Sequence, residues 1–167
     1  MEEIFKRRSV RKFLDKDVSE EDITKMLQAA MRAPSAGNEQ PWEFIIIKNP
    51  ETMVKIIDFH PYATMLKQTK CAIVICGNID LQKFDYDFWI QDCSAATQNL
   101  LIEATHLNLG AVWLAAYPVE ERVIGVTKLL NLPSNVIPLN IIAVGHPENY
   151  PKPIDTYSPE RVHNDKW

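Results

Sequence analysis

The sequence predicts a mixed fold, α/β or α+β, built as one domain. Three observations lead there. Four short apolar runs read as strands and are separated by runs of helical periodicity. The chain has 167 residues, 46% hydrophobic and 24% charged, which suits one ordinary core and excludes disorder as the main state. No internal repeat or domain boundary interrupts it, so residues 1–167 are expected to form one domain, with 146–167 as an extended tail.

The elements follow in order. Ser19 opens a helix as N-cap, with Glu20, Glu21 and Asp22 in its first turn. Ile23, Met26, Leu27 and Ala30 make its apolar stripe, and Pro34 is expected to end it. Residues 42–48 hold three consecutive Ile, β-branched residues that favour sheet. Pro50 opens a short helix to about residue 59. Residues 71–76 read as a buried strand. Residues 85–109 hold no Gly or Pro and are apolar around much of the circumference, as in a central or interface helix. Gly110 is expected to end that helix, with a strand at 111–116, a helix at 118–130 and a strand at 136–144. The tail carries Pro147, Pro151, Pro153 and Pro159 and few aliphatics, so it is either disordered or laid along another surface. Strand order is not encoded in this pattern.

Several functions are excluded early. The net charge of −4 argues against nucleic-acid binding through excess positive charge. The first residues carry two acids and no apolar run, unlike a secretory signal, and no apolar stretch approaches the ~20 residues of a membrane span. Cys71, Cys76 and Cys93 are odd in number and badly spaced for a disulfide framework or zinc, so reduced thiols in a cytoplasmic protein are expected. The five glycines are too far apart for a G-x-G-x-x-G or P-loop cradle, and no G-x-S-x-G nucleophile turn occurs. His60, His106, His146 and His163 are scattered, so no metal site is expected, and Asp85 and Asp87 read as helix-start acids. A small enzyme without its own reactive groups borrows them from a cofactor.

Two segments remain. Residues 1–16 hold six basic side chains against three acidic, in an otherwise acidic chain. Within them Arg7, Arg8, Ser9 and Arg11 place three guanidiniums and a hydroxyl in five residues, which is either a solvated basic face or an anion site. The second segment runs from Ala33 through Pro34, Ser35, Ala36, Asn38, Gln40 and Pro41 to Trp42 and Phe44. It is either a plain helix-to-strand connection or a loop offering hydroxyl and amide groups to a heteroaromatic edge.

In this order the two segments resemble the nitroreductase family of FMN-dependent oxidoreductases. Arg7-Arg8-Ser9-Val10-Arg11-Lys12-Phe13 is similar to its R-R-S-x-R-x-F, and 33–44 to its A-P-S-x-x-N-x-Q-P-W-x-F. The run from Trp89 through Asp92 and Asn99 to Gly110 and Trp113, and Gly145-His146-Pro147, are similar to the family's central helix and closing strand. The resemblance implies a three-layer α/β/α arrangement of α+β type. Its central sheet is mostly antiparallel with flanking helices, and its tail embraces the partner of a homodimer. It implies FMN as cofactor and NADH or NADPH as donor. It implies that Arg7, Arg8, Ser9 and Arg11 hold the phosphate, ribityl chain and pyrimidine edge. Pro34, Ser35, Ala36 and Asn38 would be laid against the flavin by the other subunit, and Trp113, Leu114, Ala115, Ala116 and Gly145 would line the site. No side chain is nominated as catalytic acid or base.

The chain departs from the larger members in three places. Ala115-Ala116 stands where many carry Glu-Gly. Lys152 supplies half of their basic C-terminal pair, so Arg161 is either the missing phosphate cation or an exposed tail residue. The roof over the substrate side is reduced to 78–88, where Phe84, Tyr86, Phe88 and Trp89 are either aromatic contacts or core and interface residues. The expected activity is reduction of nitroaromatic, quinone or related small acceptors by a ping-pong hydride mechanism. The alternatives are a flavin-binding or scavenging protein without turnover, or a flavoenzyme of dehalogenation or flavin-reduction type.

Overall fold

Consecutive apolar residues form strands here because both faces of the sheet are covered. The computed structural model describes residues 2–167. Strands β1 (Trp42–Ile47), β2 (Cys71–Asn78), β3 (Gly110–Ala115) and β4 (Val136–Gly145) form one sheet in the order β1-β2-β4-β3, with every neighbouring pair antiparallel. In β2, Cys71, Ile73 and Ile75 enter one apolar cluster and Ala72, Val74 and Cys76 the other.

Helices α1 (Glu2–Lys6), α2 (Glu20–Ala30), α3 (Pro50–Ile56), α4 (Phe88–His106) and α5 (Glu120–Leu130) complete the chain. Helices α2 and α4 pack on one face; α3 and α5 pack on the other. The result is the expected three-layer α+β arrangement. Ile73, Ile75, Ile141 and Ile142 are fully buried, each worth about 1.5–3 kcal/mol of transfer free energy. Asn140 and Thr97 are buried among them; the Asn140 amide donates to Thr97 Oγ1 at 3.0 Å, and Thr97 donates to Cys93 O at 2.7 Å.

Several boundaries differ from expectation for local reasons. Ser19 caps α2 as expected, its Oγ accepting from Asp22 N at 3.0 Å. The helix stops at Ala30, ahead of Pro34, as Met31 and Arg32 turn the chain. The central helix is Phe88–His106 rather than 85–109. Asp87 is its N-cap residue, and its carboxylate accepts from Trp89 Nε1 at 3.3 Å. Gly110 does not end this helix. Asn108, at φ 58°, turns the chain, and Gly110 already belongs to β3. Helix α5 begins at Glu120 and ends against Asn131, which is left-handed.

The tail forms no layer of its own. Beyond Gly145 its one helical element among the described residues is the turn Pro159–Arg161. Ile154, Tyr157, Val162 and Trp167 are exposed, and His163 stacks on Trp167 with centroids 4.2 Å apart. Among the described residues no helix is long and apolar enough to cross a membrane, and no group of His, Cys, Asp or Glu could hold a metal ion.

Candidate functional site

The arginine segment is positioned by a pair of glycines. Gly110 and Gly145 face each other across β3 and β4. Val10 lies over the first and Phe13 over the second; a Cβ at Gly110 would stand 2.7 Å from Val10 Cγ1, and one at Gly145 would stand 2.9 Å from Phe13 Cδ1. Bridges Ser9–Ala111 and Phe13–Pro147 and the bond Val10 N→Ala111 O at 3.0 Å complete the seat. Gly145 therefore serves the site by admitting Phe13. Val10 and Phe13 are buried, while Ser9 and Arg11 are exposed and Arg7 and Arg8 half-buried.

The guanidiniums point to different surroundings. Arg8 Nη1 donates to Lys152 O at 2.6 Å and so braces the tail. Arg7 and Arg8 line one cleft with Ile4, Phe5, Ile154 and Tyr157. Arg11 lies at a second cleft of about 460 Å³, with His60, Tyr62, Met65, Trp113, Leu114, Ala115 and Arg122. Among the described residues the Arg7 and Arg11 guanidiniums have no partner.

The end of β3 contributes mainly backbone to that second cleft. Leu114 and Ala116 are buried in the α3–α5 side of the core, so their side chains are packing groups. Trp113 packs toward the α2–α4 side. Ala115 is exposed, and its carbonyl accepts from His60 Nε2 and Arg122 Nη1, each at 3.0 Å. A carbonyl only accepts, which assigns the His60 hydrogen to Nε2. His60 Nδ1 is left as a buried acceptor without a partner. Burial, aided by the Arg122 charge, lowers the His60 pKa and keeps the imidazole neutral. Arg122 also lies over the Tyr62 ring, 5.5 Å from its centroid.

The 34–40 loop lies elsewhere, against the start of α4. Ser35 Oγ accepts from Gln40 N at 3.0 Å, Asn38 Oδ1 accepts from Gln40 Nε2 at 2.9 Å, and Ala36 N donates to Asp92 Oδ1 at 3.0 Å. Asn38 and Gln40 have φ of 55° and 49°, conformations that L-residues adopt at a cost. Pro34 is exposed. The hydrogen bonds that Ser35, Ala36 and Asn38 make through side chains run to Gln40 and Asp92, and none of the three lines either arginine cleft. Arg161 is likewise not brought to the arginine clefts: it is exposed in the tail turn, whereas Lys152 meets Arg8 through its carbonyl.

The roof aromatics divide. Trp89 is buried against Tyr117, with ring centroids 5.1 Å apart. Phe84 and Tyr86 are exposed; each packs near Phe88, at 5.8 and 5.6 Å, and Phe84 also lies over Gly37. The three cysteines are buried and free; burial pushes Cys71 up to about 11 and Cys76 to about 12, so both stay thiols.

A family model described as the nitroreductase family matches residues 4–60 and 59–146. The chain belongs to this family. A protein of Methanothermobacter thermautotrophicus, provisionally named an NADH dehydrogenase/NAD(P)H nitroreductase, is 46% identical over 100% of this chain and 87% of its own length. The crystal structure of a protein from Clostridium acetobutylicum, provisionally named an NADH oxidase, superimposes with a TM-score of 0.95 at 46% identity, covering 99% of both chains. An FMN-dependent nitroreductase of Clostridium difficile R20291 gives 0.91 at 27% identity over the full length of both.

Against this nitroreductase frame, His60, Tyr62 and Arg122 are cleft residues that sequence reasoning missed. Arg122 left a trace, since a cation in the first turn of a helix opposes the helix dipole and calls for another purpose. His60 left none, because a lone histidine in a loop has no distinguishing pattern.

Proposed function

We propose that this nitroreductase-family protein is an FMN-dependent oxidoreductase that draws reducing equivalents from NADH or NADPH and delivers them to small acceptors such as nitroaromatics or quinones. The observation that carries this reading is the arginine segment: unpartnered guanidiniums of Arg7 and Arg11, with Ser9 between them, held on a rigid sheet edge. With Arg7 at one cleft and Arg11 at the other, this set suits a phosphate at one end and a polar chain running past Ser9 to the other. The cleft at Arg11 fits the rest, with the β3 edge from Trp113 to Ala115 along one side and the unpaired His60 Nδ1 nearby.

When bound, FMN supplies the hydride and electron transfer. The residues supply position. Arg7, Arg8, Ser9 and Arg11 bind and orient; the end of β3, from Trp113 through Leu114 and Ala115 to Ala116, borders the flavin mainly with backbone; Gly145 keeps the segment close to the sheet. Pro34, Ser35, Ala36 and Asn38 serve the site of the other subunit in a homodimer, which is supported by none of them lining either arginine cleft of their own chain. Exposed Ile154, Tyr157, Val162 and Trp167 support a tail that embraces that subunit, bringing Arg161 as the further phosphate cation. Such an interface should exceed ~2,000 Å². Buried free thiols suit a reducing cytoplasm. Donor and acceptor use one pocket in turn, so ping-pong kinetics follow.

The decisive experiment is anaerobic stopped-flow on the purified yellow protein, with its flavin identified after release. Rapid bleaching by NADH or NADPH, then reoxidation by a quinone or nitroaromatic, is expected. Bound FMN that neither nucleotide bleaches would sink the oxidoreductase reading in favour of a flavin carrier.

A further inference from the structure

Glu39 and Asp92 come from distant parts of the chain and are 7% and 5% exposed. Each uses one carboxyl oxygen on a backbone N–H. Glu39 Oε2 accepts from Lys83 N at 2.8 Å, and Asp92 Oδ1 accepts from Ala36 N at 3.0 Å. The other two oxygens, Glu39 Oε1 and Asp92 Oδ2, are buried and have no N–H or O–H donor among the described residues. The two side chains lie within hydrogen-bonding reach of each other. Two ionised carboxylates in such contact, shielded from water, repel strongly, and each would keep an unsatisfied buried oxygen. One proton between them removes both penalties: the acid donates through its O–H to the oxygen of the carboxylate, and both leftover oxygens are satisfied.

We propose that Glu39 and Asp92 share one buried proton, and that this acid–carboxylate pair positions the 35–40 loop. The pair ties together three pieces: the loop through Glu39 itself and Ala36 N, helix α4 through Asp92, and the roof segment through Lys83 N. It holds a loop that local preference would release, since Asn38 and Gln40 stand at positive φ. Lys83 adds a second tie, its ammonium donating to Gly37 O at 2.8 Å. The titratable and charged groups around the pair are this ammonium and the Cys93 thiol. Burial keeps the Cys93 thiol protonated and neutral, so it adds no charge of either sign beside the pair. Burial, followed by the nearness of Glu39, raises the Asp92 pKa, while the Ala36 N–H acts the other way. The positioning role rests on the reading that this loop meets FMN.

The test uses full-length protein as purified and three variants: Glu39→Gln, Asp92→Asn and the double. Each single variant puts an amide N–H where the shared O–H stood and keeps the backbone N–H acceptor. The double variant sets two NH₂ groups against each other with no acceptor between them. Infrared difference spectra should show a protonated carboxyl C=O band at about pH 7, well above the ordinary carboxylate range, that either single variant removes. FMN affinity should change less than about threefold in the singles and fall at least about tenfold in the double. Hydrogen exchange at Ala36 and Lys83 should accelerate only in the double. Absence of the band overturns the shared proton, as does a double variant no worse than the singles. Wild-type protein that binds FMN, with all variants retaining its affinity, overturns the positioning role. Protein that shows the band yet never binds FMN upholds the shared proton and breaks the flavin reading.

Discussion

The 9–13 segment is seated by apolar contact, whereas the 35–40 loop is seated by hydrogen bonds to buried carboxyls. Val10 and Phe13 press on Gly110 and Gly145, and the segment's polar side chains are left facing outward. The loop's apolar contact is slighter, the exposed Phe84 ring over Gly37. Three of its residues, Gly37, Asn38 and Gln40, take left-handed backbone, and Asp92, Glu39 and Lys83 restrain it. An apolar seat is indifferent to pH and specific about volume. A carboxyl clamp tolerates isosteric change but depends on its proton count. The two regions offer complementary groups, cations in one and hydroxyl and amide groups in the other, on different parts of one chain.

Removing the tail should act on both regions at once. A chain ending at His146 loses Pro147, the bridge partner of Phe13, and Lys152, whose carbonyl holds Arg8. It also loses the exposed apolar tail proposed to grip the other subunit. The expected outcome is dissociation in sedimentation together with loss of FMN on gel filtration. A truncated monomer with full FMN affinity would break the assignment of Ser35 and Asn38 to the partner's site.

The segment alone is tested by Arg7→Ala and Arg11→Ala. Loss of one side of a charge-assisted pair typically costs about 2–5 kcal/mol, so FMN affinity should fall at least about tenfold by fluorescence titration. Riboflavin, which lacks the phosphate, should be affected far less. Equal, small losses for both flavins would make these arginines surface charge only.

Volume specificity is probed by Gly145→Ala. The new methyl meets the Phe13 ring at 2.9 Å, and Thr69 Oγ1 lies 3.3 Å away on another side. Overpacking of this kind costs about 1–3 kcal/mol, read as a lower urea midpoint with unchanged slope. A midpoint equal to wild type would mean that Phe13 is not seated as described.

The smallest expected effect separates the regions by the sign of their pH dependence. His60, beside the arginine cleft, has its pKa held below 6.5 by burial and then by Arg122. The unfolded chain then binds more protons between those two values. The stability His60 contributes is present above 6.5 and is lost as pH falls through the lowered folded value. Asp92, beside the loop, is shifted up from 3.8, so its contribution is full below 3.8 and is lost as pH rises through the raised value. Urea midpoints measured across this range should flatten on the acid side in His60→Gln and on the rising side in Asp92→Asn. Identical profiles for both variants and wild type would remove the contrast.

Much of this was legible in the residues themselves. Continuous apolar runs located all four strands, and helical periodicity with its end signals located the helices on both faces, because burial and backbone geometry act locally. Ser19 announced its helix start by residue type alone. The grouping of Arg7, Arg8, Ser9 and Arg11 within five residues marked a candidate anion site because all its members are neighbours in the chain, but that grouping did not tell that Arg11 lines a different cleft from Arg7 and Arg8. Only the tertiary structure decided the strand order, since pairing depends on where distant runs meet. It decided that Asn108 rather than Gly110 ends the central helix, a matter of one residue's left-handed turn. It also revealed that Gly110 and Gly145 are one seat, that His60 and Arg122 converge on a single carbonyl, and that Glu39 meets Asp92. Each of these joins residues far apart in the chain, and such a meeting is set by packing, which no local pattern of residues encodes.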